Sequence, residues 1–260
     1  MINFGVIGCG KIAYKHIALA SSNLSEEINL LSACDLNKSV YEKICGEFEL
    51  REIDYFDDYI DMINELNLQL VAILTPSGSH FEIAKNIILN TECDVIIEKP
   101  MCLRFEDALE LNKIYKANTN KVYILMQNRF NRPIAAIKNF IDQGCLGDIH
   151  MCSSRVLWSR ESEYYKDASW RGSWSEDGGA LVNQGIHFLD LMIFLAGNVS
   201  EVHGFANKFL ADIEAEDSLT ANVQFNSGAI GTYSVTTATR PDDIEASITI
   251  LGSKGYVEVG

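Results

Sequence analysis

Residues 1–20 read MINFGVIGCGKIAYKHIALA, and the run Gly8-Cys9-Gly10-Lys11-Ile12-Ala13 inside them decides the fold. Residues 3–7 form a short run, apolar after Asn3, as a buried strand is, and a helical spacing of apolar side chains follows Ala13. A G-x-G-x-x-[GA] run between a strand and a helix suits a pyrophosphate. The first glycine permits a tight turn, and the second lets backbone amides come close to the anion. The small third residue packs helix on strand, and the helix N-terminus favours negative charge. Asp35 ends the second apolar run, 22 residues past Ala13. An acid there binds the adenosine ribose hydroxyls and repels a ribose phosphate, so NAD is expected over NADP. Gly8, Gly10, Lys11, Ile12 and Asp35 are therefore expected cofactor contacts.

The same grammar continues outward. Apolar strands are expected at 29–35, 68–75, 94–98 and 122–126, with helices at 80–89 and 105–117 between them. Strands apolar throughout, each followed by an amphipathic helix, specify a parallel sheet covered on both faces, the doubly wound α/β class. Ligands in such sheets bind at the carboxyl ends of the strands. This points to Thr75, Ser77 and His80 after one strand and to Glu98 and Lys99 after another. A lysine closing an apolar strand is unusual, and partly buried lysines serve readily as acid–base groups.

Past residue 130 the pattern changes. A helix over 133–143, a strand over 149–158, a polar aromatic loop and one helix over 180–195 precede five strand-like runs between 199 and 260. Asn226-Ser227-Gly228 and Gly252-Ser253-Lys254-Gly255 read as hairpin turns. The expected architecture is a Rossmann domain over 1–121 and an α+β domain with a mostly antiparallel open sheet over 122–260. The second domain is expected to bind substrate and form oligomers, and its final edge reads either as cut short at Gly260 or as pairing with another subunit.

Composition narrows the function. With 36 acids against 21 bases and a net charge of −15, the chain is a poor partner for nucleic acid or an anionic membrane. Residues 129–171 alone are net basic, which suggests a small anionic ligand. Seven scattered cysteines without a CxxC pair fit free thiols in a reducing cytoplasm, and no metal is expected. No signal segment or long apolar run is visible, so a cytoplasmic location is expected.

The glycine fingerprint, the Thr-Pro…His turn at 75–80 and Glu98-Lys99-Pro100 together resemble the Gfo/Idh/MocA family of NAD(P)-dependent sugar and cyclitol oxidoreductases. The resemblance covers essentially the whole chain. It implies a substrate beside the nicotinamide at Lys99 and an open second sheet that builds homodimers or homotetramers. Gly178-Gly179-Ala180-Leu181-Val182-Asn183-Gln184-Gly185-Ile186-His187 matches the family's glycine-led helix, although many relatives carry aspartate where Asn183 stands. The segments 127–131 (QNRFN), Tyr164-Tyr165 and 170–174 (WRGSW) are similar to a branch acting on UDP-linked N-acetylated amino-sugar uronates in bacterial surface-polysaccharide pathways.

On that reading Lys99 and His187 are the catalytic pair, with the formal base left open between them. Gln127 joins the cofactor contacts. Arg129, Asn131, Arg160, Tyr164, Arg171, Asn183, Gln184, His187 and Lys99 bind the nucleotide sugar. A planar guanidinium suits its carboxylate and diphosphate. The alternatives are a dehydrogenase of a free sugar or cyclitol, and a non-catalytic NAD-binding regulator. His16 reads as a surface or packing residue.

Overall fold

The computed structural model describes residues 1–22, 24, 26–50 and 53–260, in two compact units, Met1–Leu125 and Met126–Gly260. The first unit ends four residues beyond the limit read at 121. The strand Val122–Ile124 pairs with Asp94–Ile97 and so belongs to the first sheet.

That sheet is wholly parallel. Its strands are β1 (Ile2–Ile7), β2 (Ile28–Cys34), β3 (Asp54–Phe56), β4 (Leu70–Ile73), β5 (Asp94–Ile97) and β6 (Val122–Ile124), in the order β3-β2-β1-β4-β5-β6. The chain winds outward from β1 on one side and from β4 on the other, so the order reverses between them. Strand residues alternate between two cores. Ile7, Val71, Ile73, Val95 and Ile97 face Met62 and Ile63 of α3 (Tyr59–Glu65), Ala84, Ile87 and Ile88 of α4 (His80–Asn90), and Leu111 of α5 (Phe105–Ala117). Phe4, Val6, Ala33 and Ala72 face Ile17 of α1 (Ala13–Ser21) and Ile44 of α2 (Lys38–Glu47). Each large aliphatic side chain buried this way contributes about 1.5–3 kcal/mol. Burial on both faces explains why these strands read as unbroken apolar runs.

β3 and α3 have no counterpart in the sequence reading. β3 is three residues long, and α3 begins inside an acidic run. Its start is set by Asp58, whose carboxylate accepts the amides of Ile60 at 2.7 Å and Asp61 at 3.1 Å.

The second unit holds α6 (Arg132–Asp142), β7 (Ile149–Leu157), α7 (Ser162–Lys166), α8 (Ile186–Ala196), β8 (Val199–Asn207), β9 (Ser218–Phe225), β10 (Ile230–Thr236), β11 (Glu245–Gly252) and β12 (Gly255–Val259). The sheet order is β12-β11-β7-β10-β9-β8, with β7 and β10 parallel and every other pair antiparallel. Both expected hairpins form. One face packs Cys152, Val156, Tyr233, Val235, Ile248 and Ile250 against Leu191, Met192 and Leu195 of α8 and Ile134 of α6.

The helix expected over 180–195 is not uniform. A π turn occupies Leu181–Gly185, and the α-helix begins at Ile186. Two contacts impose the change. The amides of Ala180 and Leu181 are taken by the backbone carbonyl and the carboxylate of Glu216, and the Tyr233 hydroxyl donates to the Gly185 carbonyl at 2.7 Å. Such wider turns are frequent at functional sites.

Candidate cofactor and substrate sites

In the first unit the glycine turn closes against the end of β4. Gly8 has φ +93°, and a Cβ there would lie 2.9 Å from the backbone of Leu74 and Thr75. Only glycine takes that conformation without strain. Gly10 differs, for nothing lies within 4 Å of its Cβ position and its open side admits a ligand. Asp35 stands at the same turn. Its Oδ2 accepts the Cys9 amide at 2.8 Å and its Oδ1 the Asn37 amide at 2.8 Å. A cradle that only glycine fits, an open amide face and an acid beyond β2 match the shape and chemistry of a dinucleotide.

The ends of β4 and β5 are tied together. The Thr75 and Ser79 hydroxyls share a hydrogen bond at 2.7 Å, over a turn that contains Ser77. The buried His80 ring lies with Nδ1 2.7 Å from the Pro100 carbonyl and Nε2 2.8 Å from that of Thr75. Glu98 is buried beside them. Its Oε2 accepts the Lys99 amide at 3.1 Å, and His16 Nε2 donates to its Oε1 at 3.1 Å. Burial alone would raise the Glu98 carboxyl. The hydrogen bond and charge of His16, then the amide and charge of Lys99, outweigh burial and hold it below its ordinary range.

His16 is thus a residue the sequence reading set aside. Its partner lies 82 positions away, and the available signal was a histidine one helical turn past Ala13, facing a strand end that carries an acid.

In the second unit four expected substrate residues come together. Tyr164 carries Arg171 at 4.1 Å and Arg160 at 5.6 Å from its ring centre, and Gln184 Nε2 donates to its hydroxyl at 3.1 Å. Arg171 also donates to the Tyr164 carbonyl at 2.6 Å, while its buried Nε has no hydrogen-bond partner. Arg160 lies over Trp158 at 5.0 Å and reaches Asp243 at 3.2 Å.

Arg129 departs from the expectation. Its Nε and Nη2 form a fork on Asp190 at 2.7 and 2.5 Å, and its guanidinium covers Phe194 of α8. Asp190 has thereby engaged the Nε–Nη2 edge, the fork that would otherwise grip an anion in bidentate fashion. Asn131 stands exposed at the N-cap position of α6, with no capping hydrogen bond from its side chain.

The expected Asn183–His187 face is also altered, because the π turn carries the two to different partners. Asn183 donates to Asp177, whose other oxygen accepts the Gly172 amide at 2.7 Å. Gln127 Nε2 donates to His187 Nε2 at 3.2 Å. A carboxylate therefore does stand beside Asn183, supplied by the preceding turn. Glu216 lies buried beneath this turn. One oxygen accepts the Leu181 amide at 2.9 Å, and the other has no partner. The space it fills exists because Gly179 lacks a Cβ. Burial, reinforced by the charges of Asp177 and Asp217, raises its carboxyl against the pull of the amides.

Comparison with known proteins agrees with both halves of the chain. Residues 2–126 match the oxidoreductase family with an NAD-binding Rossmann fold, and residues 134–258 match the GFO/IDH/MocA C-terminal domain. The WlbA dehydrogenase of Chromobacterium violaceum, solved with NADH and UDP-GlcNAcA, is 34% identical with a TM-score of 0.94 over 99% of this chain and 73% of its own. The Bordetella pertussis WlbA dehydrogenase, solved with the same two ligands, is 35% identical with a TM-score of 0.94 over 99% of this chain and 76% of its own. The 1-carboxy-3-chloro-3,4-dihydroxycyclohexa-1,5-diene dehydrogenase of Comamonas testosteroni is 24% identical over 97% of this chain. This chain spans 63% of that protein's length.

Proposed function

Because the chain belongs to the Gfo/Idh/MocA oxidoreductase family, we propose that it oxidises the 3-hydroxyl of a UDP-linked, N-acetylated amino-sugar uronate, with NAD as acceptor. The observation that carries this reading is the Arg160–Tyr164–Arg171 cluster with Gln184 on its hydroxyl. Two guanidinium groups on one aromatic ring offer a diphosphate or a hexuronate carboxylate more charge than a neutral sugar needs. The likeness to two dehydrogenases solved with UDP-GlcNAcA supports the same substrate class.

Bound NAD supplies the hydride acceptor. Lys99 and His187 are the proposed acid–base pair for the proton leaving the hydroxyl. Imidazole relays a proton near neutrality, and a lysine ammonium stabilises developing alkoxide charge. Gln127, on the Nε2 of His187, orients that ring. Asn183 and Gln184 bind hydroxyls without adding charge. Arg129 and Asn131 are left outside the anion-binding set. The alcohol loses a hydride and a proton and becomes a 3-keto nucleotide sugar, a suitable substrate for an aminotransferase.

The second unit is also proposed to associate with copies of itself. Ile230, Met151, Leu251 and Tyr256 form one lateral row by strand register, on the sheet face away from the helices. Ile230 is 52% exposed and Tyr256 68%.

The test is NADH absorbance on mixing the protein with NAD and UDP-N-acetylglucosaminuronate, with an aminotransferase removing the ketone. Turnover that requires the uridine diphosphate is expected. Equal turnover of the free uronate or of inositol would assign the enzyme to free sugars or cyclitols. No turnover with any of them would leave a cofactor-binding regulator.

A further inference from the structure

The hydrogen bond from His16 to Glu98 runs from α1 to the end of β5, across the neighbouring end of β4. It therefore spans the switch point of the sheet, where a dinucleotide lies in folds of this kind. The orientation of the cofactor follows from the same sheet order. Asp35 stands beyond β2, on one side of the glycine turn, and takes the adenosine end. The nicotinamide end is thereby directed to the other side, toward the ends of β4 and β5, where Glu98 is buried. Oxidised nicotinamide carries a positive charge and reduced nicotinamide carries none. A buried carboxylate at that end distinguishes them, and whatever compensates the carboxylate tunes the distinction.

We propose that the His16–Glu98 pair sets the preference of this site between oxidised and reduced NAD, with His16 as the positioning residue. The inference rests on NAD binding to the first unit and not on the identity of the sugar. His16 holds the carboxylate that in turn holds the Lys99 amide. When the imidazole is protonated, the pair is neutral and does little to separate the two cofactor forms. When the imidazole is neutral, the pair carries one negative charge and favours the cationic oxidised ring. Lys99 acts on Glu98 from the same turn, His80 of α4 lies against the Pro100 carbonyl two residues on, and Lys15 precedes His16 on α1.

The test is titration of the whole chain with NAD and with NADH at several pH values, followed by fluorescence or calorimetry, for the wild type, His16→Gln and Glu98→Gln. Thermal melts verify that each variant is folded. Binding alone is read, so failure of the proposed sugar oxidation leaves the result interpretable. The wild-type ratio of the NAD Kd to the NADH Kd is expected to be about tenfold lower with the imidazole neutral than with it protonated. His16→Gln keeps a donor to the carboxylate. Its ratio is expected to be independent of pH, at the value the wild type reaches in alkali. Glu98→Gln removes the negative charge and keeps the imidazole, so its ratio is expected to lie above the wild type's at every pH. A His16→Gln protein that keeps the wild-type pH dependence would overturn the proposal. So would a Glu98→Gln protein with the wild-type ratio throughout.

Discussion

Gly8 and Gly10 stand two positions apart in one motif, yet they are constrained by different things. Gly8 is constrained by its own chain, through a φ of +93° and the backbone of Leu74 and Thr75, just past β4, 2.9 Å from a Cβ. Gly8→Ala is expected to lower stability by about 1–3 kcal/mol, measured by chemical denaturation, and to weaken NAD binding with it. Gly10 has open space where a Cβ would go. Gly10→Ala is expected to leave stability within about 0.5 kcal/mol while lowering NAD affinity at least as much. Equal stability losses in the two variants would contradict this division. The glycines, Asp35 and Lys99 were legible in the sequence because their spacing from strand ends carries their meaning. The uses of His16 and Arg129 were not legible. Each is defined by an acid far along the chain, Glu98 and Asp190, which the fold alone brings near.

Among the elements, the π turn at Leu181–Gly185 and the loop before β9 are both fixed by neighbouring buried acids of opposite tendency. Burial would raise Asp217, but the amides of Ala211, Leu210 and Phe209 and the Ser218 hydroxyl hold it below its ordinary range. Its contribution is therefore full above the ordinary carboxylate range and is lost as pH falls through its lowered native value. Glu216 is raised, so its contribution is full at acid pH and is lost as pH rises through its native value. Asp217→Asn is expected to cost about 2 kcal/mol at neutral pH, with the deficit shrinking in acid. Glu216→Gln is expected to match the wild type in acid and to gain on it as pH rises. Thermal melts across pH check both, and curves parallel to the wild type would contradict the assignment. The existence of this helix was readable from its apolar spacing. Its π opening was not, because the contacts that impose it come from Glu216 and Tyr233, which lie on the sheet side of the unit.

At the scale of the whole molecule, the two sheets were legible for different reasons. The first announces itself by unbroken apolar strands and the second by alternation and hairpin turns. The three-residue β3 and the acidic α3 were too short and too polar to register. The row of Ile230, Met151, Leu251 and Tyr256 belongs to this scale, with Ile230, Met151 and Tyr256 exposed and Leu251 half-buried between them. Ile230→Asp is expected to shift the chain from oligomer to monomer in light scattering while NAD affinity holds. An unchanged mass would remove that face as an interface. The proposed oxidation breaks one carbon–hydrogen bond, the one at C3 of a UDP-linked uronate, and isotope transfer follows that bond. UDP-N-acetylglucosaminuronate deuterated at C3 is incubated with the protein and NAD, and the reduced cofactor is analysed by mass spectrometry. NADH carrying the deuterium is expected. NADH without deuterium, or no NADH when the ketone is trapped, would contradict it.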